Sequence, residues 1–168
     1  IPYDSKATTP DVKKAEKRTV QLMANADDRT RPIIGFVPAD TRTVSLPFEV
    51  KISTTDIGGP SAGLAFTLAL LDELTSGNLM GTSHVVATGT ISEDGSVGAI
   101  GALEQKAVAV KASGADLFLV PSGQSVDEMK RARHAAGSKV TIVQVATLDE
   151  ALSALRTRGG DALVATAA

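Results

Sequence analysis

From about Arg31 onward, apolar and polar positions fall into short alternating or continuous runs punctuated by glycine and proline. Residues 44–53, "VSLPFEVKIS", set Val50 and Ile52 against Lys51 and Ser53 as a half-buried strand does, and a shorter β-rich run covers residues 33–37. Pro47 cannot donate to a ladder, so part of the longer run belongs at an edge or a bulge. A helix is predicted over 60–75, followed by a strand "HVVATGTI" over 84–91 and the turn "SEDGS", whose Asp94-Gly95 pair is a hairpin or loop signal. The glycine-rich "VGAIGA" leads into a second helix, "LEQKAVAVKAS", with Gly114 in the C′ position. Then come a strand over 115–121, a helix near 125–136 ended by Gly137, a strand over 139–146 and a fourth helix, "TLDEALSALRTRG". This alternation predicts an α/β (α+β) fold with the four helices packed on a sheet.

The first 30 residues differ in texture. They are polar and turn-rich, with a basic patch "KKAEKR" and one short apolar segment, "TVQLM", and read as a linker or the remnant of a preceding domain. Residues 31–158 form the expected domain, and 159–168 read as a flexible tail. A chain of 168 residues, 43% hydrophobic, has room for one two-layer core. Seventeen basic against nineteen acidic residues, a net charge of −2, give no electrostatic footprint for nucleic acid. The stretch has no apolar run of about 18 residues and no charged-then-apolar leader, so it is expected neither to span a membrane nor to carry a signal peptide. The absence of cysteine excludes disulfides, a thiol nucleophile and thiolate zinc sites. No spacing of histidines and carboxylates suggests a metal site, and no cofactor is expected.

Chemistry concentrates in residues 54–75, "TTDIGGPSAGLAFTLALLDELT". In a helix beginning at Pro60, proline takes N1, Gly59 becomes the N-cap, and Ser61 falls at N2, past the capping position. Backbone N–H groups of a first turn point outward with the positive end of the helix dipole behind them. Such a turn suits a tetrahedral oxyanion or a phosphate group, and Gly58, Gly59 and Gly63 allow close approach in either case. Three readings stay open on the motif alone: an ordinary helix start, a phosphate cradle, or a nucleophile.

A serine that attacks an amide needs a base. His84 begins a strand and His134 lies on the basic helix face "KRARHAAG"; neither sits in the kind of glycine-rich turn that presents catalytic groups, which disfavours a Ser-His-Asp arrangement. A desolvated lysine can serve instead, its pKa drawn from about 10.4 toward 7 to 8. On "LEQKAVAVKAS", Leu103, Ala107 and Val110 form the buried stripe, with Lys106 about 60° to one side and Lys111 about 80° to the other. Either lysine can bury its stem and expose its head, and periodicity does not choose between them.

"GGPSAG" followed by "ATGTISEDGSVGAIGALEQKAVAVKASGADLFLVP" resembles the proteolytic domain of the Lon family, over about residues 50–121, with two independent motifs in the family's order. The resemblance implies a Lon-type proteolytic fold, small mixed sheets with four main helices packed on them, with Ser61 as nucleophile and Lys106 as base, while Lys111 matches no catalytic position. It also implies that Thr88 helps hold the lysine by a hydrogen bond. Around the serine, Gly59, Pro60 and Ala62 would support the dyad or the oxyanion hole. Two departures accompany it. Many members carry an acidic residue three positions before the serine, where this chain has Gly58, and Asp56, two residues earlier, is not counted as catalytic. No Walker-type sequence is present, which implies ATP-independent action.

"DIGGPSAGL" is more similar still to the ATPase-free Lon-like proteases of bacteria, in which a membrane anchor and a PDZ domain precede the protease. That similarity implies a membrane anchor outside this stretch, residues 1–30 near a PDZ boundary, and a protease on the extracytoplasmic side, a cytoplasmic one being the alternative. The wider family implies homo-oligomeric rings. The expected function is a serine endopeptidase acting on unfolded or extended protein or peptide substrates, which the strand "FEVKIST" could pair with by strand addition. The rival readings are a phosphate-binding, small-molecule kinase-like domain and a catalytically silent peptide-binding module.

Overall fold

A computed structural model describes residues 59–163, together with Val50 and two short strands near the N-terminus. The chain divides into two compact units, Ile1–Lys51 and Ile52–Ala168. In the first, β1 (Met23–Ala24) pairs antiparallel with β2 (Pro32–Ile33), placing Met23 opposite Ile33. Most of the linker expected over 1–30, the remainder of the strands expected over 33–37 and 44–53, and the motif residues Asp56 and Gly58 lie outside the described residues.

The second unit opens with a 3-10 turn, Pro60–Ala62, that runs into α1 (Gly63–Leu74). There follow β3 (Val85–Ala87), β4 (Thr90–Ile91), β5 (Val97–Gly98), α2 (Leu103–Ala112) and β6 (Leu117–Pro121). The chain continues through α3 (Val126–Ala136), β7 (Thr141–Val145) and α4 (Leu148–Arg156). Strands β3, β6 and β7 form a parallel sheet in that order, with Val85 opposite Leu117 and Leu117 opposite Thr141. The central strand, "LFLVP", is buried at every position, as a parallel strand covered on both faces must be.

Alternation along β6 divides the core in two. Phe118 and Val120 join Leu103, Ala107 and Val110 of α2 and Met129, Ala132 and Ala136 of α3 on one face. Leu117 and Leu119 join Leu64 and Leu68 of α1 and Ala151, Leu152 and Leu155 of α4 on the other. The four-helix α/β architecture expected from the sequence is therefore present, built as a sheet between two helical layers.

Three details depart from the sequence reading. The strand expected over 84–91 is broken: β3 belongs to the parallel sheet, whereas β4 turns away to pair antiparallel with β5, Ile91 opposite Val97. The break falls at Gly89, φ 153°, where an added β-carbon would sit 2.6 Å from Val97 Cγ1. The helix expected over 60–75 is α-helical only from Gly63, because the Ser61 carbonyl is occupied by partners outside the helix. The tail expected from Gly159 onward is fastened for its first residues: Asp161 N–H donates to Asn78 O at 2.9 Å and its carboxylate accepts from Asn78 N–H at 2.8 Å. Gly160 lies against the Leu79 carbonyl oxygen, where a β-carbon has no room.

Candidate functional site

Ser61 is presented by a turn that depends on the glycine and proline before it. Gly59, the N-cap, has φ 81° and ψ 169°, a region open essentially to glycine, and Pro60 then supplies the fixed φ of a first helical residue. The Ser61 carbonyl accepts two hydrogen bonds from the β3–β4 link, from Gly89 N–H at 2.8 Å and from the Thr88 hydroxyl at 3.0 Å. Both lone pairs are then engaged, so the α-helical ladder cannot start at Ser61 and begins after Ala62. One residue further, Leu64 N–H donates to Gly89 O at 3.0 Å, a second strap between the same two segments. Gly63 lets them approach: its β-carbon would meet Ile91 Cγ2 and Ile91 N at 3.1 Å.

Lys106 comes from the opposite helical layer. It sits on the first turn of α2, where its N–H closes the helical bond to Ala102 O at 3.1 Å, and it is partly buried. Its Nζ donates to Ser61 Oγ at 3.2 Å, joining residues 45 apart in the chain. The two side chains meet beside the C-terminal end of β3, in a cleft of about 530 Å³. Ser61, Thr88, Lys106 and Ser113 contribute its polar lining, and Val86, Ala109, Val110 and Phe118 furnish an apolar wall.

Of the two lysines that periodicity left open, Lys106 faces Ser61, whereas Lys111 is exposed and lines a separate cleft with Asp116 and Lys139. Both histidines are exposed and neither lines the Ser61 cleft. Thr88 is buried, 4% exposed, but its hydrogen bond is to the serine's backbone and not to the lysine, as the resemblance had implied. The geometry explains the difference: Thr88 N–H continues the sheet to Leu119 O at 3.0 Å, and that anchoring turns its hydroxyl toward the Ser61 carbonyl. Among the described residues no group of three or more histidines and carboxylates is placed to hold a metal ion.

The profile of the family described as "Lon protease (S16) C-terminal proteolytic domain" matches residues 47–157, well over half of the chain. This chain belongs to the Lon proteolytic-domain family. Lon protease of Neorickettsia sennetsu is 29% identical over 71% of the chain, and Lon protease of Roseiflexus castenholzii 28% identical over 84%. Lon protease of Phenylobacterium zucineum is 33% identical over 56%. The matched stretch covers only 14%, 17% and 12% of those relatives' lengths, respectively. The Lon-type fold is accordingly the fold of this chain, and the region matched contains every described residue of the cleft.

Two features of the site escaped the sequence. Ala102, not Gly101, takes the left-handed conformation that ends the glycine-rich turn, with φ 57° and ψ 38°. Gln124, in the loop after β6, is buried and bonded to Ile100 at both ends of its carboxamide. No local pattern marks either one.

Proposed function

We propose that the chain is a serine endopeptidase that hydrolyses peptide bonds in unfolded or extended proteins through a Ser61–Lys106 dyad, without ATP. The observation that carries this reading is the 3.2 Å contact between Lys106 Nζ and Ser61 Oγ in a cleft open to a ligand. The same line serves catalysis with the proton on the other partner: the neutral amine accepts the Ser61 hydroxyl proton as Oγ attacks the scissile carbonyl. The tetrahedral oxyanion is met by the start of the 3-10 turn. Gly63 N–H is bonded to Pro60 O and Leu64 N–H to Gly89 O, which narrows the available donors to the amides before Gly63. Lys106 then returns the proton to the departing amine, leaving an ester on Ser61. Water, deprotonated by the same lysine, releases the acid and restores the serine.

Spending the Gly63 and Leu64 amides inside the protein weighs against a phosphate cradle, which draws on several successive N–H groups of a helix start. The apolar wall of Val86, Val110 and Phe118 suits an apolar substrate side chain beside the scissile bond. Membrane anchoring beyond this stretch and an extracytoplasmic location complete the reading, supported by the likeness of "DIGGPSAGL" to ATPase-free Lon-like proteases, together with a ring of subunits, supported by membership of the wider family.

The test is cleavage of denatured, fluorescently labelled casein without nucleotide. Wild type is expected to cleave it, and Ser61→Ala and Lys106→Ala each to reduce the rate by 1,000-fold or more, on the order of a lost nucleophile or base. Retained cleavage in Lys106→Ala would remove the dyad. Nucleotide binding lost with Ser61→Ala, in place of proteolysis, would support the kinase-like reading.

A further inference from the structure

Apart from Thr88, the buried polar side chain among the described residues is Gln124, in the loop between β6 and α3. Its Oε1 accepts from Ile100 N–H at 2.7 Å and its Nε2 donates to Ile100 O at 3.0 Å. One carboxamide thus takes both polar groups of a single backbone residue, as a neighbouring strand would. Ile100 is only 9% exposed, so water is poorly placed to replace either bond.

The loop that carries Gln124 is itself fixed at both ends. Ser122 N–H donates to Val145 O at 2.9 Å. Ser125 caps α3 in a reciprocal box: its hydroxyl accepts from Glu128 N–H at 3.3 Å, and the Glu128 carboxylate accepts from Ser125 N–H at 3.0 Å. Gln124 therefore sits on a loop held by hydrogen bonds on both sides.

What the clamp holds is the launch of α2. Two residues after Ile100, Ala102 is the single non-glycine residue with positive φ among the described residues, a conformation that a β-carbon disfavours. Its carbonyl accepts Lys106 N–H, so the orientation of the Ala102 peptide sets the first helical bond of the lysine. Freed at Ile100, Ala102 would relax toward negative φ and swing the first turn of α2.

We propose that Gln124 is a positioning residue for the dyad: by clamping Ile100 it keeps Ala102 left-handed and aims Lys106 at Ser61. This rests on the reading of Ser61 and Lys106 as the catalytic pair. Displacements of about 1 Å at reacting groups cost on the order of 100-fold in rate. Gln124→Met, which keeps the side chain's length and deletes both bonds, is expected to lower kcat on denatured casein roughly 10- to 100-fold with KM within about two-fold.

Leu155→Ala is the reference for loss of stability alone, since Leu155 lies in the core on the other side of the sheet. Assayed well below both melting temperatures, it is expected to keep wild-type kcat. Equal kcat in Gln124→Met and Leu155→Ala, beside an active wild type, overturns the inference and leaves the dyad reading intact. A wild type that does not cleave casein removes the dyad reading and this inference with it. Should Gln124→Met not fold, Gln124→Glu, which keeps the acceptor for Ile100 N–H, is judged by the same comparison. If neither variant folds, Gln124 is a folding requirement and the positioning role is overturned.

Discussion

Ser61 and Lys106 illustrate how much a residue's role depends on what restrains its backbone. Glycine is needed around the serine for different reasons: Gly59 for a conformation, with open space where its β-carbon would be, and Gly63 and Gly89 for close approach to Ile91 and Val97. Thr88 adds one hydrogen bond to a carbonyl that Gly89 N–H already holds. Thr88→Val, nearly isosteric, should therefore cost only about 1 kcal/mol of stability. Gly89→Ala combines a clash with an unfavourable φ and should cost about 2 to 3 kcal/mol or more, with a larger loss of casein cleavage. Urea denaturation alongside the cleavage assay checks this order, and a Thr88→Val effect as large as that of Gly89→Ala would contradict it. Ser61 was legible because Pro60 moves it past the cap and because its motif recurs in a known family. Lys106 was legible only through that likeness, since its place on the flank of α2 is shared in kind by Lys111. Gln124 was not legible at all: it works across 24 residues of chain, through a meeting of two loops that no periodicity encodes.

At the scale of elements, the strongly punctuated helices matched expectation most closely. Gly114 follows α2 with φ 76° and Gly137 ends α3 with φ 75°, as their positions in the sequence suggested. The borders that moved are those where tertiary partners compete for backbone groups. The Ser61 carbonyl is drawn to Gly89 and Thr88, so a 3-10 turn replaces the first α-helical turn. The run "HVVATGTI" reads as one strand by composition but is divided between two sheets at Gly89. The start of α3 offers a test with a defined sign. Hydrogen bonds from the Ser125 side chain, and secondarily its N–H, hold the Glu128 carboxyl below its ordinary 4.5. A carboxylate lowered by folding adds stability above its unfolded value, and that contribution is lost as pH falls through its folded value. Ser125→Ala removes the cap at a typical cost of about 1 kcal/mol near neutral pH. The difference from wild type in urea denaturation should narrow as the pH is lowered from about 7 toward 3.5. A difference that stays constant would show that the Ser125–Glu128 pair contributes nothing ionic.

For the second unit as a whole, the alternation of helices and strands was enough to predict α/β layering, because buried parallel strands such as "LFLVP" are continuous apolar runs. The arrangement of helices on the two faces was not, since it depends on which strand neighbours which. That arrangement creates the site: α1 and α2 lie on opposite faces of the sheet and bring serine and lysine together at the end of β3. The two cores share β6, and damage to either should be felt by one cooperative transition. Leu119→Ala is expected to destabilise by about 2 to 5 kcal/mol and Phe118→Ala by about 3 to 5 kcal/mol, each shifting a single urea midpoint. Two separate transitions in either variant would show that the layers fold independently. Whether these layers assemble a nucleophile and its base is decided by covalent labelling with an acylating β-lactone, read by intact-protein and peptide mass spectrometry. The predicted result is one adduct per chain, located on Ser61, formed by wild type and lost in both Ser61→Ala and Lys106→Ala. Labelling that persists at Ser61 without Lys106, or that falls on another residue in the wild type, would contradict it.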